Sequence, residues 1–411
     1  MGNEPTDRNV FILGAGFSAH AGVPLIKDFL DRSRELMYDP SSRLDPLERN
    51  LFERVFEFRT EMAEACEKVA IDLDNIEELF GIVEMSQRLS DEQRETRDAT
   101  VYMIAKTLQL TTKPAGTGRN HVQFTVKSQL NDQFLAASRG GAFQNAPGYT
   151  RETFACDIYE YFAGLAIGLF DDPQRKAARY AAIITFNYDL ILDHALQRLN
   201  IRPDYALDPG LTREYGVPGA ERGCSVLKLH GSTNWGICGS CQERIVVLPG
   251  KVTDIPEQFR QETCDKCGTQ QFQPLLVPPS WDKSEYQKIM APVWASAVAE
   301  LRSASRICII GYSMPESDLF FKYLLTLGLS RNRRLHKLAV VDLVQPPASE
   351  PLEQGAETPS SLESRYRQLL NPLFRERRFS FHPEGFEHFI CSGQAPKLLG
   401  RGEILSGSSC Y

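Results

Sequence analysis

Five short clusters in the 411-residue chain combine residue types that bind, polarise or move protons, and each follows a short apolar run. Gly14-Ala15-Gly16 ends the run Asn9 to Leu13; Asn187 and Asp189 follow Ala181 to Thr185. His230-Gly231 closes Val226 to Leu229, Gly311-Tyr312-Ser313 follows Arg306 to Ile310, and Asp342 follows Lys337 to Val341. Glycines at a strand end let backbone approach a phosphate closely, and a following helix start adds donors. The same GAG also fits a plain tight turn, and its spacing is not GxGxxG, because Gly14, Gly16 and Gly22 do not match it. Asn187 and Asp189 are placed to orient sugar hydroxyls or an amide, or to cap the next helix. An imidazole at a strand end suits a general base. The Gly and Ser of the fourth cluster suit ribose or phosphate, and Asp342 suits ribose hydroxyls; turn chemistry explains either as well.

Four of the ten cysteines form two Cys-x-x-Cys pairs, Cys238 with Cys241 and Cys264 with Cys267, separated by 22 residues. Each pair presents two thiolates to one tetrahedral zinc. Sulfur would fill all four positions and leave none for water, so this zinc is expected to be structural. Cys66, Cys156, Cys224, Cys308, Cys391 and Cys410 are scattered and read as thiols without a role.

The elements needed to position these residues can be read from periodicity. Repeated apolar strands ending in polar or glycine turns and followed by helices predict an α/β chain with a parallel sheet and helices on its faces. In such sheets ligands gather outside the carboxyl ends of the strands, where all five clusters fall. Phe17 to Leu30 reads as helix-like, with Pro24 near a turn. Between Asp31 and Tyr180, segments such as Pro46 to Val69 and Asn75 to Arg88 carry apolar residues every three or four positions, a mostly helical insertion. Thr111 to Gly148 shows no clear period and reads as loop with short helices, and Gln345 to Ser361 as a flexible excursion. The cysteine pairs flank a ribbon-like insertion.

As an ensemble, GAGFSAHAGVP at 14–24, TFNYD at 185–189, LHG at 229–231, the two CxxC pairs and GYS at 311–313 resemble the sirtuin family in order and spacing. The resemblance covers 9–30 and about 181–342. It implies a Rossmann-like NAD-binding domain built from 1–30, 181–235 and 276–411, interrupted by the helical insertion 31–180 and a zinc ribbon at 236–275. It also implies Gly14, Ala15, Gly16, Ser18, Gly311, Ser313 and Asp342 near NAD, Asn187 and His230 as the catalytic pair, and Asp189 near nicotinamide. The chain departs from protein-deacylating sirtuins after Pro24, where Leu25-Ile26-Lys27-Asp28 replaces Asp-Phe-Arg, and at Leu275 to Trp281, where the run leading into the acyl-lysine groove is missing. TFNYD, the Asn75 to Phe80 segment, PPSW and GYSMPESD look like the sirtuin-like NAD hydrolases of bacterial anti-phage defence. That branch implies cleavage of NAD to nicotinamide and ADP-ribose, a homo-oligomer, and a HerA-like ATPase or another defence partner. An NAD-dependent protein deacylase and a non-catalytic NAD or ADP-ribose binding scaffold are the alternatives.

Composition bounds these readings. The net charge of −7 argues against a chain that coats nucleic acid or anionic membrane, and the basic runs 331–337 and 375–378 read as solvated faces, so no direct nucleic-acid binding is expected. No apolar run of about 18 residues and no secretory signal occur, which predicts no membrane span and a cytoplasmic protein. No GxxxxGK[ST] is present, so the chain carries no ATPase of its own.

Overall fold

The apolar run that ends at Gly14 is a strand covered on both faces, since Val10, Phe11, Ile12 and Leu13 are all buried. That is the signature of an interior strand in a parallel sheet. The computed structural model describes residues 8–42, 44–90, 93–113, 121–126, 143–145, 153–170, 180–215, 222–249, 255–278, 286–314, 319–343, 362–398 and 405–410, with strands numbered in chain order. Seven of them, β1 (Arg8–Leu13), β5 (Tyr180–Thr185), β6 (Ile201–Asp204), β8 (Arg222–Lys228), β12 (Arg306–Ile310), β13 (Lys337–Val341) and β14 (Phe379–His382), form one sheet. Its order is β14-β13-β12-β1-β5-β8-β6 and every pair is parallel. From β1 the chain runs outward through β5 to β8 on one side, then returns to build β12, β13 and β14 on the other. The strand order reverses beside β1, and the carboxyl edge at such a reversal is where doubly wound sheets bind their ligands.

The chain between β1 and β5 contains helices Phe29–Tyr38, Pro46–Glu61, Ile76–Leu89 and Arg94–Thr111. Local rules explain their starts. Asp45 and Glu48 form a reciprocal capping box with Pro46 in the first turn, and Asn75 Oδ1 accepts from the Glu77 amide at 2.9 Å. The same region also holds β2 (His121–Val126), β3 (Gln144–Asn145) and β4 (Thr153–Asp157). They form a sheet of order β15-β2-β4-β3 with β15 (Leu405–Cys410), a partner almost 280 residues away in sequence from β2. A pairing that distant leaves no mark on local periodicity.

Phe17 to Leu30 is not one helix. A single turn, Ala15–Ser18, passes into a 3-10 turn at Ala19–Ala21 and stops at Gly22, whose φ is 86°. A Cβ there would stand 2.8 Å from the Thr111 carbonyl oxygen, and the Lys113 amide donates to Ala21 O, so the end of helix Arg94–Thr111 presses on this break. A second 3-10 turn, Ile26–Asp28, leads into the next helix.

The cysteine-bearing insertion is a four-stranded sheet of order β11-β9-β10-β7, made of β7 (Thr212–Glu214), β9 (Gly231–Cys238), β10 (Ile245–Val247) and β11 (Phe272–Leu276). It begins directly after His230 and recruits β7 from before β8, so it is broader than a ribbon confined to 236–275. Cys391, expected as a free thiol, is disulfide-bonded. The excursion 345–361, most of Thr111 to Gly148, and the segments Pro279–Trp281 and Pro315–Asp318 lie outside the described residues. No helix among the described residues is long and apolar enough to cross a membrane.

Candidate active site

Strand order sets five clusters side by side along the carboxyl edge: Asp342 after β13, Gly311–Ser313 after β12, Gly14–Gly16 after β1, Asn187 and Asp189 after β5, and His230 after β8. The glycines at the centre interlock. The Gly14 amide donates to Ile310 O at 3.0 Å and the Gly16 amide to Gly311 O at 2.8 Å. A Cβ on Gly14 would lie 2.5 Å from Gly311 O, and one on Gly311, whose φ is 64°, would lie 2.2 Å from the Phe17 amide nitrogen. The glycines are thus needed first so that two strand-end loops can cross. The amides of Gly14 and Gly16 are engaged within the protein, and Ala15 is half-buried between them.

Asn187 is fixed by this crossing. Its Nδ2 donates to Gly14 O at 2.8 Å and to Ser18 Oγ at 3.1 Å, and its backbone amide donates to Thr185 Oγ1 at 3.1 Å. A carbonyl oxygen only accepts, so the amide nitrogen must be the atom facing Gly14, which leaves Oδ1 with capacity for a ligand. Ser18 is fully buried. Its hydroxyl also faces the Asp189 carboxyl, so Ser18 bridges Asp189 and Asn187 from behind. Asp189 is buried, its Oδ1 accepts from the Ile191 amide at 3.0 Å, and burial pushes its pKa up while the Lys228 charge and the Ser18 hydroxyl oppose that rise. Asp189 therefore closes the turn into the helix Ile191–Arg198 and, through Ser18, is tied to Asn187.

His230 is buried, its ring edge-on to Phe186 with centroids 5.2 Å apart and tilted against Tyr188 at 6.1 Å. Phe186 in turn stacks on Tyr312 at 4.7 Å, so aromatic contacts join the ends of β8, β5 and β12. Ser313 is exposed. Asp342 is partly buried, its Oδ1 accepting from the Leu343 amide at 2.8 Å; burial pushes its pKa up to about 6, against that hydrogen bond and the Arg365 charge. It stands two strands from β1, on the side opposite Asn187.

Cys238, Cys241, Cys264 and Cys267 converge, with all four sulfurs within 4.8 Å of one another. Sγ of Cys238 lies 3.6 Å from that of Cys267, and Sγ of Cys241 lies 3.8 Å from that of Cys264. A tetrahedron with metal–sulfur bonds near 2.3 Å has edges of roughly 3.8 Å, so the donor set fits one tetrahedral metal ion.

Two further features escape the motif reading. Lys228, directly before Leu229 and His230, is buried beneath the site and contacts Asp193; the signal available was a lysine inside the apolar run Val226 to Leu229. Tyr159, in the helix Ile158–Ile167, donates to Phe17 O at 3.1 Å and braces the glycine turn from the insertion side. Nothing in its local sequence marks it.

No protein-family model matches the chain, and no curated protein matches it. Among solved structures the chain is similar to Sir2 in complex with the inhibitor EX-527, 2'-O-acetyl-ADP-ribose and deacetylated p53 peptide, with 15% identity, 96% of this chain and 94% of that chain covered, and a TM-score of 0.36. It is also similar to a Sir2–p53 peptide–NAD+ structure, with 14% identity, 97% and 95% covered, and a TM-score of 0.37. Likenesses this remote supply no residue-by-residue correspondence.

Proposed function

We propose that the chain is an NAD glycohydrolase that cleaves NAD to nicotinamide and ADP-ribose, and that it serves as an abortive-infection effector in bacterial defence against phage. The observation that carries this reading is Asn187, whose amide nitrogen is held by Gly14 O and Ser18 Oγ at the carboxyl edge of the sheet, with His230 on the adjoining strand end. In the reaction the N-glycosidic bond breaks, its electron pair leaves with nicotinamide, which becomes neutral, and a water oxygen bonds to the anomeric carbon. Positive charge builds on the ribose, and the departing cation needs little acid catalysis. Asn187 Oδ1 orients the ribose or the water, and His230 takes the water proton directly or through a ribose hydroxyl. Asp189 holds the carboxamide and, through Ser18, the orientation of Asn187. Gly311, Ser313 and Asp342 line the ribose and phosphate side with the glycine turn.

The four cysteines hold a structural zinc in this reading. With every tetrahedral position filled by sulfur, the ion orders the sheet that starts at Gly231 and takes no part in bond cleavage. An activity that destroys NAD calls for restraint, so we place control in a cytoplasmic homo-oligomer that docks a HerA-like ATPase or another defence partner. Light scattering that returned a monomer at every micromolar concentration would count against that assembly.

The test is NAD consumption by the purified chain, alone and with lysate from phage-infected cells, beside Asn187→Ala and His230→Ala and with an acetyl-peptide arm. Loss of NAD without peptide, abolished in both variants, supports the hydrolase. Loss only with peptide assigns a deacylase, and tight NAD binding without loss in any arm assigns a binding scaffold.

A further inference from the structure

Lys228 is the last residue of β8 and is 1% exposed. Its Nζ donates to the Asp189 carbonyl oxygen at 2.6 Å and to Ser232 Oγ at 2.8 Å, and lies 2.9 Å from Asp193 Oδ2. Two of the three ammonium donors are thus spent in hydrogen bonds, and the Asp193 carboxylate meets the charge as an ion pair. Asp193, fully buried in the helix Ile191–Arg198, also accepts from the Tyr205 hydroxyl. Ser232 Oγ donates to Asn234 Oδ1 at 2.7 Å, and Asn234 Nδ2 donates to Leu248 O at 2.9 Å, which carries the network into the cysteine-bearing sheet. The Thr233 amide donates to Tyr188 O at 3.0 Å, a second link between the same two turns.

The two hydrogen bonds from Lys228 land on symmetric places. Asp189 is two residues past Asn187, and Ser232 is two residues past His230. We propose that Lys228 is a positioning residue that sets the separation of Asn187 and His230 by tying the turn after β5 to the turn after β8 through one buried ammonium. It acts through backbone and hydroxyl and touches neither NAD nor the reacting atoms. Asp193 is the countercharge that lets the ammonium lie there. The catalytic consequence rests on the hydrolase reading above; the structural tie does not.

The double variant Lys228→Met/Asp193→Asn removes both charges together. It is expected to fold, with amide exchange at residues 187–189 and 232–233 about tenfold faster than in the wild type and exchange in β10 unchanged. Its kcat for NAD cleavage is expected to fall about a hundredfold with KM within about threefold, the pattern of misplaced reacting groups. Ser232→Ala, which keeps both buried charges and removes only the acceptor on the second turn, is expected to lower kcat about tenfold by the same route and keeps the question open to decision if the double variant unfolds. Wild-type exchange in both turns together with kcat within about threefold in both variants overturns the proposal. If the wild type cleaves no NAD, the hydrolase reading fails, and the exchange data still decide whether Lys228 ties the turns.

Discussion

At Asn187 the orientation of one amide is fixed by an atom that can only accept, the Gly14 carbonyl 2.8 Å away. Asn187→Asp keeps the size and removes both donors, turning a carboxylate oxygen toward that carbonyl. The expected result is loss of NAD cleavage by about a hundredfold or more, with a stability loss of about 1 to 3 kcal/mol read from denaturant unfolding. Wild-type stability in that variant would mean that the amide is not held as described. Asp342 gives a pH test. Burial lifts its carboxyl from 3.8 to about 6 in the folded chain, so between those values the folded state binds more protons than the unfolded one. Its contribution is full below the unfolded pKa and is lost as pH rises through about 6, an effect on the order of 1 to 3 kcal/mol. Asp342→Asn is expected to flatten that part of the unfolding midpoint against pH, and an unchanged profile would show that the carboxyl titrates normally.

At the scale of elements, the crossing of the β1 and β12 loops makes a sharp demand. Gly311→Ala would place a methyl 2.2 Å from the Phe17 amide nitrogen at a φ of 64°, so backbone must shift. We expect a loss of about 2 to 4 kcal/mol together with weakened NAD binding, measured by thermal unfolding and calorimetry; a neutral substitution would contradict the interlock. The strands that frame this crossing were legible in the sequence, because NVFIL, AAIIT, RICII and KLAVV are apolar runs buried on both faces, with glycine or polar residues within two positions of each end. That the five candidate clusters would share one edge was legible for the same reason: strand ends in a parallel sheet lie side by side. Three things were not. The β2–β15 pairing joins distant segments, the break at Gly22 depends on the Thr111 carbonyl pressing from another helix, and the Asp193 partner of Lys228 lies on a different element. Each is a contact between segments, and a local pattern carries no record of its partner.

For the whole molecule, the cysteine-bearing sheet is continuous with the site, since β9 starts at the residue after His230 and ends at Cys238. Metal loss should therefore reach the active edge as well as the insertion. Chelation, or Cys264→Ser, is expected to lower the melting temperature by several degrees and to speed amide exchange in β9, since a ligand bound only to the folded state stabilises it. Unchanged melting after verified metal removal would show that the ion adds nothing to the stability of the fold. The helical insertion bears on the same edge from the other side, through Tyr159, which donates to Phe17 O and meets the Phe17 ring edge-on at 5.2 Å. Such bracing on both flanks suits a site whose proposed reacting side chains, Asn187 and His230, follow different strands. The most direct test of the account is the product balance of the purified chain with NAD and no peptide. It requires one nicotinamide and one ADP-ribose for each NAD lost, with both products absent in Asn187→Ala and His230→Ala; wild-type turnover in either variant, or NAD loss only when an acyl peptide is added, would contradict it.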